Sequence, residues 1–177
     1  MFNKICVLGC GLIGSSLLRA IDKKKLSKEI SAFDKSENVS LYLIKNFSFN
    51  IAKKIEDAVK DSDLVIISSP LSSYEEILIS IKSSLMKKVI LTDTGSAKKE
   101  VNKMINNLNL NDVNWIASHP IAGTEYSGPA AGFSSLFHNR WCILSAGNQV
   151  AKDKIEKLEQ FWFCIHIYSL PSCTQIN

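Results

Sequence analysis

Short, wholly apolar runs alternate along the chain with stretches whose apolar residues recur every three or four positions. Residues 4–8 read Lys-Ile-Cys-Val-Leu and run into Gly9, a compact segment of the kind buried on both faces of a parallel sheet. Residues 12–24 then place apolar side chains at 13, 17, 18 and 21, which is helical spacing. The alternation continues downstream. It predicts strands over 30–33, 49–52, 63–68 and 89–92, and helices over 36–46, 55–61, 74–81 and 96–106, with Ser96 as the last helix's N-cap. Strands over 115–117 and 142–144 follow, separated by a Gly-, Pro-, Ser- and Ala-rich loop at 119–133, and a final helix covers 151–162. Strands and helices alternating at this spacing imply βαβ units. Right-handed crossovers turn such units into a doubly wound α/β sandwich, a mainly parallel sheet with helices on both faces.

Composition narrows the function classes. A chain of 177 residues is long enough to bury a core without disulfides or metals. The net charge of +4 is dispersed over short lysine clusters, Lys23–Lys25 among them, which read as solvated helix ends and not as a nucleic-acid footprint. Five cysteines at irregular spacing suggest neither a disulfide framework nor a zinc site, and Cys6 and Cys142, lying in apolar runs, are expected to be buried thiols. No apolar run approaches the roughly 20 residues of a membrane helix. Met1 leads almost directly into the first strand, with no signal-peptide pattern, so the expected compartment is the reducing cytoplasm.

Gly9-Cys10-Gly11-Leu12-Ile13-Gly14 is a GxGxxG motif. It follows a predicted strand and opens a predicted helix, the context in which the motif carries weight. Gly9 permits the tight turn, Gly11 lets backbone approach a pyrophosphate, and Gly14 lets helix and strand pack closely. The anion would rest on the helix N-terminus, where free N–H groups and the helix dipole favour negative charge. Asp34 ends the second strand 20 residues after Gly14 and is placed to bind a ribose 2′-hydroxyl. Its carboxylate would repel a 2′-phosphate, so NAD is expected over NADP. Ser69 and Pro70, after the 63–68 strand, would cover the cofactor, and Thr94 belongs to the same rim. The fold expected is therefore of the Rossmann type.

Two further segments end strands on that rim: Thr92-Asp93-Thr94-Gly95-Ser96-Ala97-Lys98, and the stretch from Ser118 through His119 to Gly128. A histidine at the carboxyl end of a strand, ahead of a polar glycine-rich loop, suits a general base near a nicotinamide. The residues alone leave a structural role for His119 equally open. His138 and His166 lack that setting; His138 is read as a loop residue and His166 as part of a final strand or tail.

The segment HPIAGTEYSGPAAGFSSLF, together with GCGLIGSS and TDTGSAKK, resembles the prephenate/arogenate dehydrogenase family of tyrosine biosynthesis, from the N-terminus to about Phe161. The resemblance implies an NAD-dependent oxidative decarboxylation of prephenate to 4-hydroxyphenylpyruvate, or the corresponding reaction of arogenate. It implies that His119 accepts the substrate's hydroxyl proton and that Ser96 hydrogen-bonds the same hydroxyl. Gly123, Thr124, Glu125 and Ser127 would line the substrate pocket. No metal, nucleic-acid or membrane partner is expected, on the charge, cysteine spacing and run lengths given above. Members of the family continue into a helical C-terminal domain that forms a homodimer and contributes basic residues for the substrate carboxylates. Here residues 1–162 correspond to the nucleotide-binding domain, and 163–177 form a tail that departs from the family pattern of a glycine turn, a strand and further helices. The two arginines are Arg19 and Arg140. Because unpaired buried charge is costly, these 177 residues by themselves are expected to bind NAD while turning substrate over weakly or not at all. A non-catalytic NAD-binding module is the alternative.

Overall fold

Side-chain alternation along the first strand sets the layers. In β1 (Phe2–Leu8), Ile5 and Val7 pack into one apolar cluster while Cys6 and Leu8 pack into another on the opposite face, as the two-residue period of a strand requires. The computed structural model describes residues 2–110 and 112–170. Among these, eight strands form one sheet in the order β3-β2-β1-β4-β5-β6-β7-β8. The remaining strands are β2 (Ser27–Phe33), β3 (Asn50–Ile51), β4 (Leu64–Ile67), β5 (Ile90–Asp93), β6 (Asn114–Pro120), β7 (Arg140–Ala146) and β8 (Ile167–Leu170). Six α-helices cover the sheet: α1 (Leu12–Lys24), α2 (Glu37–Asn46) and α6 (Lys152–Cys164) pack on the Ile5 side, and α3 (Ile55–Val59), α4 (Tyr74–Ile81) and α5 (Lys98–Asn107) on the Cys6 side. This is the doubly wound Rossmann-type arrangement that the sequence predicts.

Strand direction follows the connections. Each neighbouring pair from β3 to β6 is parallel. The link from β6 to β7 carries only a 3₁₀ turn at Pro129–Ala131 and no crossover helix, so β7 returns antiparallel to β6. α6 then restores a crossover, and β8 pairs parallel with β7.

Three differences from the sequence expectations have local causes. α5 begins at Lys98 with Ala97 as its N-cap, and no side chain caps it; the Ser96 hydroxyl, expected there, is engaged with His119 instead. α6 extends past residue 162 to Cys164. The stretch at His166, expected as a final strand or tail, carries a strand, but His166 itself lies just before it, taking a left-handed turn (φ 65°) that leads into β8. Residues 171–177 of the 163–177 tail lie outside the described residues. Cys6, Cys10 and Cys142 are buried free thiols, and Cys164 is an exposed one. No helix among the described residues is long and apolar enough to cross a membrane.

Candidate active site

The strand order reverses direction between β1 and β4, and open α/β sheets hold ligands in the crevice beyond such a switch point. A cavity of about 620 Å³ opens there. Gly9, Gly11, Leu12 and Ile13 line it from the β1–α1 turn, Asp34 from the end of β2, and Ser69, Pro70 and Thr94 from the loops after β4 and β5. Cys10 and Gly14, the other two motif residues, are buried behind this wall.

The glycines divide the work. Gly9 has a φ of +85°, and a Cβ there would run into Ser69. A Cβ on Gly14 would occupy the place of the Gly9 carbonyl oxygen. A Cβ on Gly11 would meet nothing within 4 Å, so this residue leaves the cradle at the start of α1 open. No side chain caps that helix, whose first-turn N–H groups have no intrahelical partners. The donor set fits a phosphate.

Asp34 braces the turn as well as lining the cleft. One carboxylate oxygen accepts the Cys10 N–H at 2.7 Å, and the other accepts the Ser36 N–H at 2.9 Å. A carboxylate has about four acceptor sites, so capacity remains for a hydroxyl in the cleft. Lys35 reaches both oxygens of Glu76, at 3.1 and 3.0 Å, and these two residues also line the cavity.

On the neighbouring rim, Ser96 and His119 meet. The Ser96 Oγ lies 3.0 Å from His119 Nε2. Behind them stands a buried network that the sequence did not single out. The fully buried Asp93 carboxylate pairs with Lys98 Nζ at 2.6 Å, and Lys98 also donates to the Ser118 carbonyl at 2.5 Å. Asp93 further accepts the N–H groups of Ser118 (3.2 Å) and Gly95 (3.3 Å) and the Tyr74 hydroxyl (3.4 Å). Burial pushes the Asp93 carboxyl up and the Lys98 ammonium down, each towards its neutral form, while their short contact opposes both shifts. Burial and then the nearby Lys98 charge hold His119 below the usual imidazole value, with Asp93 opposing. The ring is thus kept in its neutral, proton-accepting form at neutral pH. Burial also pushes the Tyr74 phenol well up, so it acts as a neutral donor.

A second cavity of about 370 Å³ adjoins His119 and is lined by Pro120, Ile121, Ala122, Gly123 and Arg140. Of the expected pocket residues, Gly123 faces this cavity and Ser127 faces the nucleotide-sized cleft, together with Tyr126 and Gly128. Thr124 and Glu125 are exposed and line neither, although the Thr124 hydroxyl accepts the Tyr126 N–H at 3.2 Å. The loop is tethered at its far end: Gly132 lies against Ser15, and the Phe133 N–H donates to Ser16 Oγ at 3.1 Å. The Asp93–Lys98 pair was hidden because each residue alone reads as an ordinary loop charge. An aspartate closing the short strand Ile-Leu-Thr-Asp, five residues before a lysine, is the signal that points to it.

Comparison with known proteins identifies the family and the fold. The family model described as prephenate dehydrogenase, nucleotide-binding domain, matches residues 17–166. A cyclohexadienyl dehydrogenase of Zymomonas mobilis is 36% identical over 163 residues, covering 92% of this chain and 55% of that protein. A prephenate dehydrogenase of Bacillus subtilis is 30% identical over 164 residues, covering 90% of this chain and 43% of its own length. The chain thus spans about half the length of the curated relatives it matches. Among solved structures, prephenate dehydrogenase from A. aeolicus, in complex with hydroxyphenyl propionate and NAD+, superposes with a TM-score of 0.84 at 24% identity, over 97% of this chain and 60% of that one. Synechocystis arogenate dehydrogenase superposes with a TM-score of 0.83 at 19% identity, over 94% of this chain and 59% of that one. These two structural likenesses concern the fold. The family model covers most of the chain, and the chain belongs to the prephenate dehydrogenase family, within its nucleotide-binding domain.

Proposed function

We propose that the protein is an NAD-dependent dehydrogenase that oxidatively decarboxylates prephenate, or the closely related arogenate, and that this chain supplies the nucleotide cleft and the catalytic base. The observation that carries the reading is the Ser96–His119 pair, 3.0 Å apart, with the imidazole held neutral on the rim beside the cleft that the GxGxxG turn lines. The cradle at the start of α1 would take the pyrophosphate, and Asp34 would accept from the adenosine ribose, favouring NAD over NADP. The bound nicotinamide would supply the hydride acceptor.

This chain's residues present and deprotonate the substrate hydroxyl. Ser96 hydrogen-bonds the substrate hydroxyl and presents it to His119. His119 takes the hydroxyl proton as the ring carbon is oxidised. The ring carboxylate then leaves as CO₂, its bonding electrons completing the aromatic ring, which draws the reaction to product. Gly123 and Ser127 border the substrate; Thr124 and Glu125 belong to the same loop. A cyclohexadiene diacid is the substrate class, and the reducing cytoplasm, where the buried thiols stay free, is the proposed compartment.

The test follows reduced-nicotinamide absorbance after mixing NAD+ with prephenate or arogenate. His119→Asn should lower turnover by about 10²–10⁴-fold and leave NAD+ affinity intact. Equal turnover in the variant would remove His119 from the chemistry. NAD+ binding with no substrate-dependent signal from an enzyme completed with the family's C-terminal domain would favour a non-catalytic NAD-binding module.

A further inference from the structure

β5 and β6 are registered at only two positions, Ile90↔Asn114 and Leu91↔Trp115. The Ser96 loop and His119 both lie beyond the point where this ladder ends. There, side chains take over from backbone. The Ser118 N–H donates to Asp93 Oδ1 at 3.2 Å, and the Ser118 carbonyl accepts from Lys98 Nζ at 2.5 Å. Asp93 and Lys98 join each other at 2.6 Å, so the ion pair closes the bridge that a strand ladder would otherwise form. The Thr92 and Ser118 hydroxyls add a 2.6 Å hydrogen bond at the same place. Lys98 also opens α5, and its N–H donates to the Ser96 carbonyl at 3.1 Å. One residue therefore touches the strand just before His119 and the loop that presents Ser96.

We propose that Lys98 is a positioning residue: clamped between Asp93 and the Ser118 carbonyl, it ties the loop bearing Ser96 to the strand bearing His119 and so sets their hydrogen bond. Its consequence for turnover rests on reading His119 as the base; the geometric claim stands apart from that reading. The ionisable groups around His119 are Lys98 and Asp93 on one side, with the buried Cys142 thiol and Arg140 contributed by β7. The Lys98 charge opposes protonation of the ring, so the clamp also favours the neutral base.

The test reads the His119 ring nitrogens by NMR in the 177-residue chain without substrate, the signals being identified by their loss in His119→Asn. Ser96→Ala should shift them in the parent protein and in Lys98→Arg, which keeps the cation. In Lys98→Met the same Ser96→Ala change should lose its effect. If Ser96→Ala shifts the His119 signals as much in Lys98→Met as in the parent, or has no effect in the parent, the proposal is overturned. Should Lys98→Met fail to fold because it leaves Asp93 unpaired, Asp93→Asn/Lys98→Met removes both charges and carries the same comparison with the same two outcomes. Loss of the Ser96 effect, together with turnover unchanged by His119→Asn in an enzyme completed with the family's C-terminal domain, would support the clamp while sinking the proposed function.

Discussion

The carbonyl oxygen of Gly9 fills the space that a Cβ on Gly14 would need. This contact brings the end of β1 and the first turn of α1 together, and backbone cannot yield there as a flexible side chain could. Gly14→Ala should therefore destabilise the fold by about 1–3 kcal/mol through overpacking and weaken nucleotide binding by displacing the cradle. Denaturant unfolding measures the first effect and NAD+ titration the second. An unchanged unfolding midpoint would show that α1 can shift without cost.

His119 must be unprotonated to accept a proton, and burial with the Lys98 charge lowers its value from 6.5. The active form is therefore the neutral one, and activity falls as acid protonates it. The acid limb of kcat/KM for the free enzyme should have its midpoint below 6.5. A limb at or above that value would contradict the arrangement of charges around the ring.

Asp34 is both a brace and a prospective ribose ligand. Asp34→Ala strands the buried Cys10 N–H, which costs about 1–3 kcal/mol. It should also weaken NAD+ binding and narrow the gap between NAD+ and NADP+, because the repelling carboxylate is gone. Titration of tryptophan fluorescence with each nucleotide checks this. An unaltered preference would confine Asp34 to bracing the turn.

Burial pushes the Cys6 and Cys142 thiols up to about 12 and Cys10 well above its ordinary value, whereas Cys164 is exposed. Since the thiolate is the reactive form, brief alkylation of the native protein should modify Cys164 and spare Cys6, Cys10 and Cys142. Peptide mass spectrometry reads the result directly. Rapid labelling of Cys10 would mean that the turn beneath the cleft opens readily.

The layers and the nucleotide cradle were legible because their signals are local. An apolar run such as 4–8, glycines at fixed offsets and 3.6-residue spacing over 12–24 each declare themselves within one element. The Asp93–Lys98–Ser118 bridge was not legible, because its meaning lies in where two strands diverge, and no single segment records that. The role of Ser96 was half legible. A serine before a helix reads as a cap, and only the tertiary approach of His119 from 23 residues away diverts its hydroxyl. β8 was half legible for a related reason: a final strand near His166 is one of the two readings, but His166 makes the left-handed turn before it where a glycine was the expected signal.

α1 serves the two cavities at once. Its first turn lines the larger cleft, and Ser16, one turn further on, holds the end of the loop that borders the second cavity. Each residue advances a helix by about 100° and 1.5 Å, so one residue inserted or deleted between Leu12 and Ser16 would swing the tether off its partner while leaving the helix intact. The first turns of α1 thus act as a spacer of fixed length. Beyond Arg19 the helix lines neither cavity and serves the core instead, through Ala20 and Ile21.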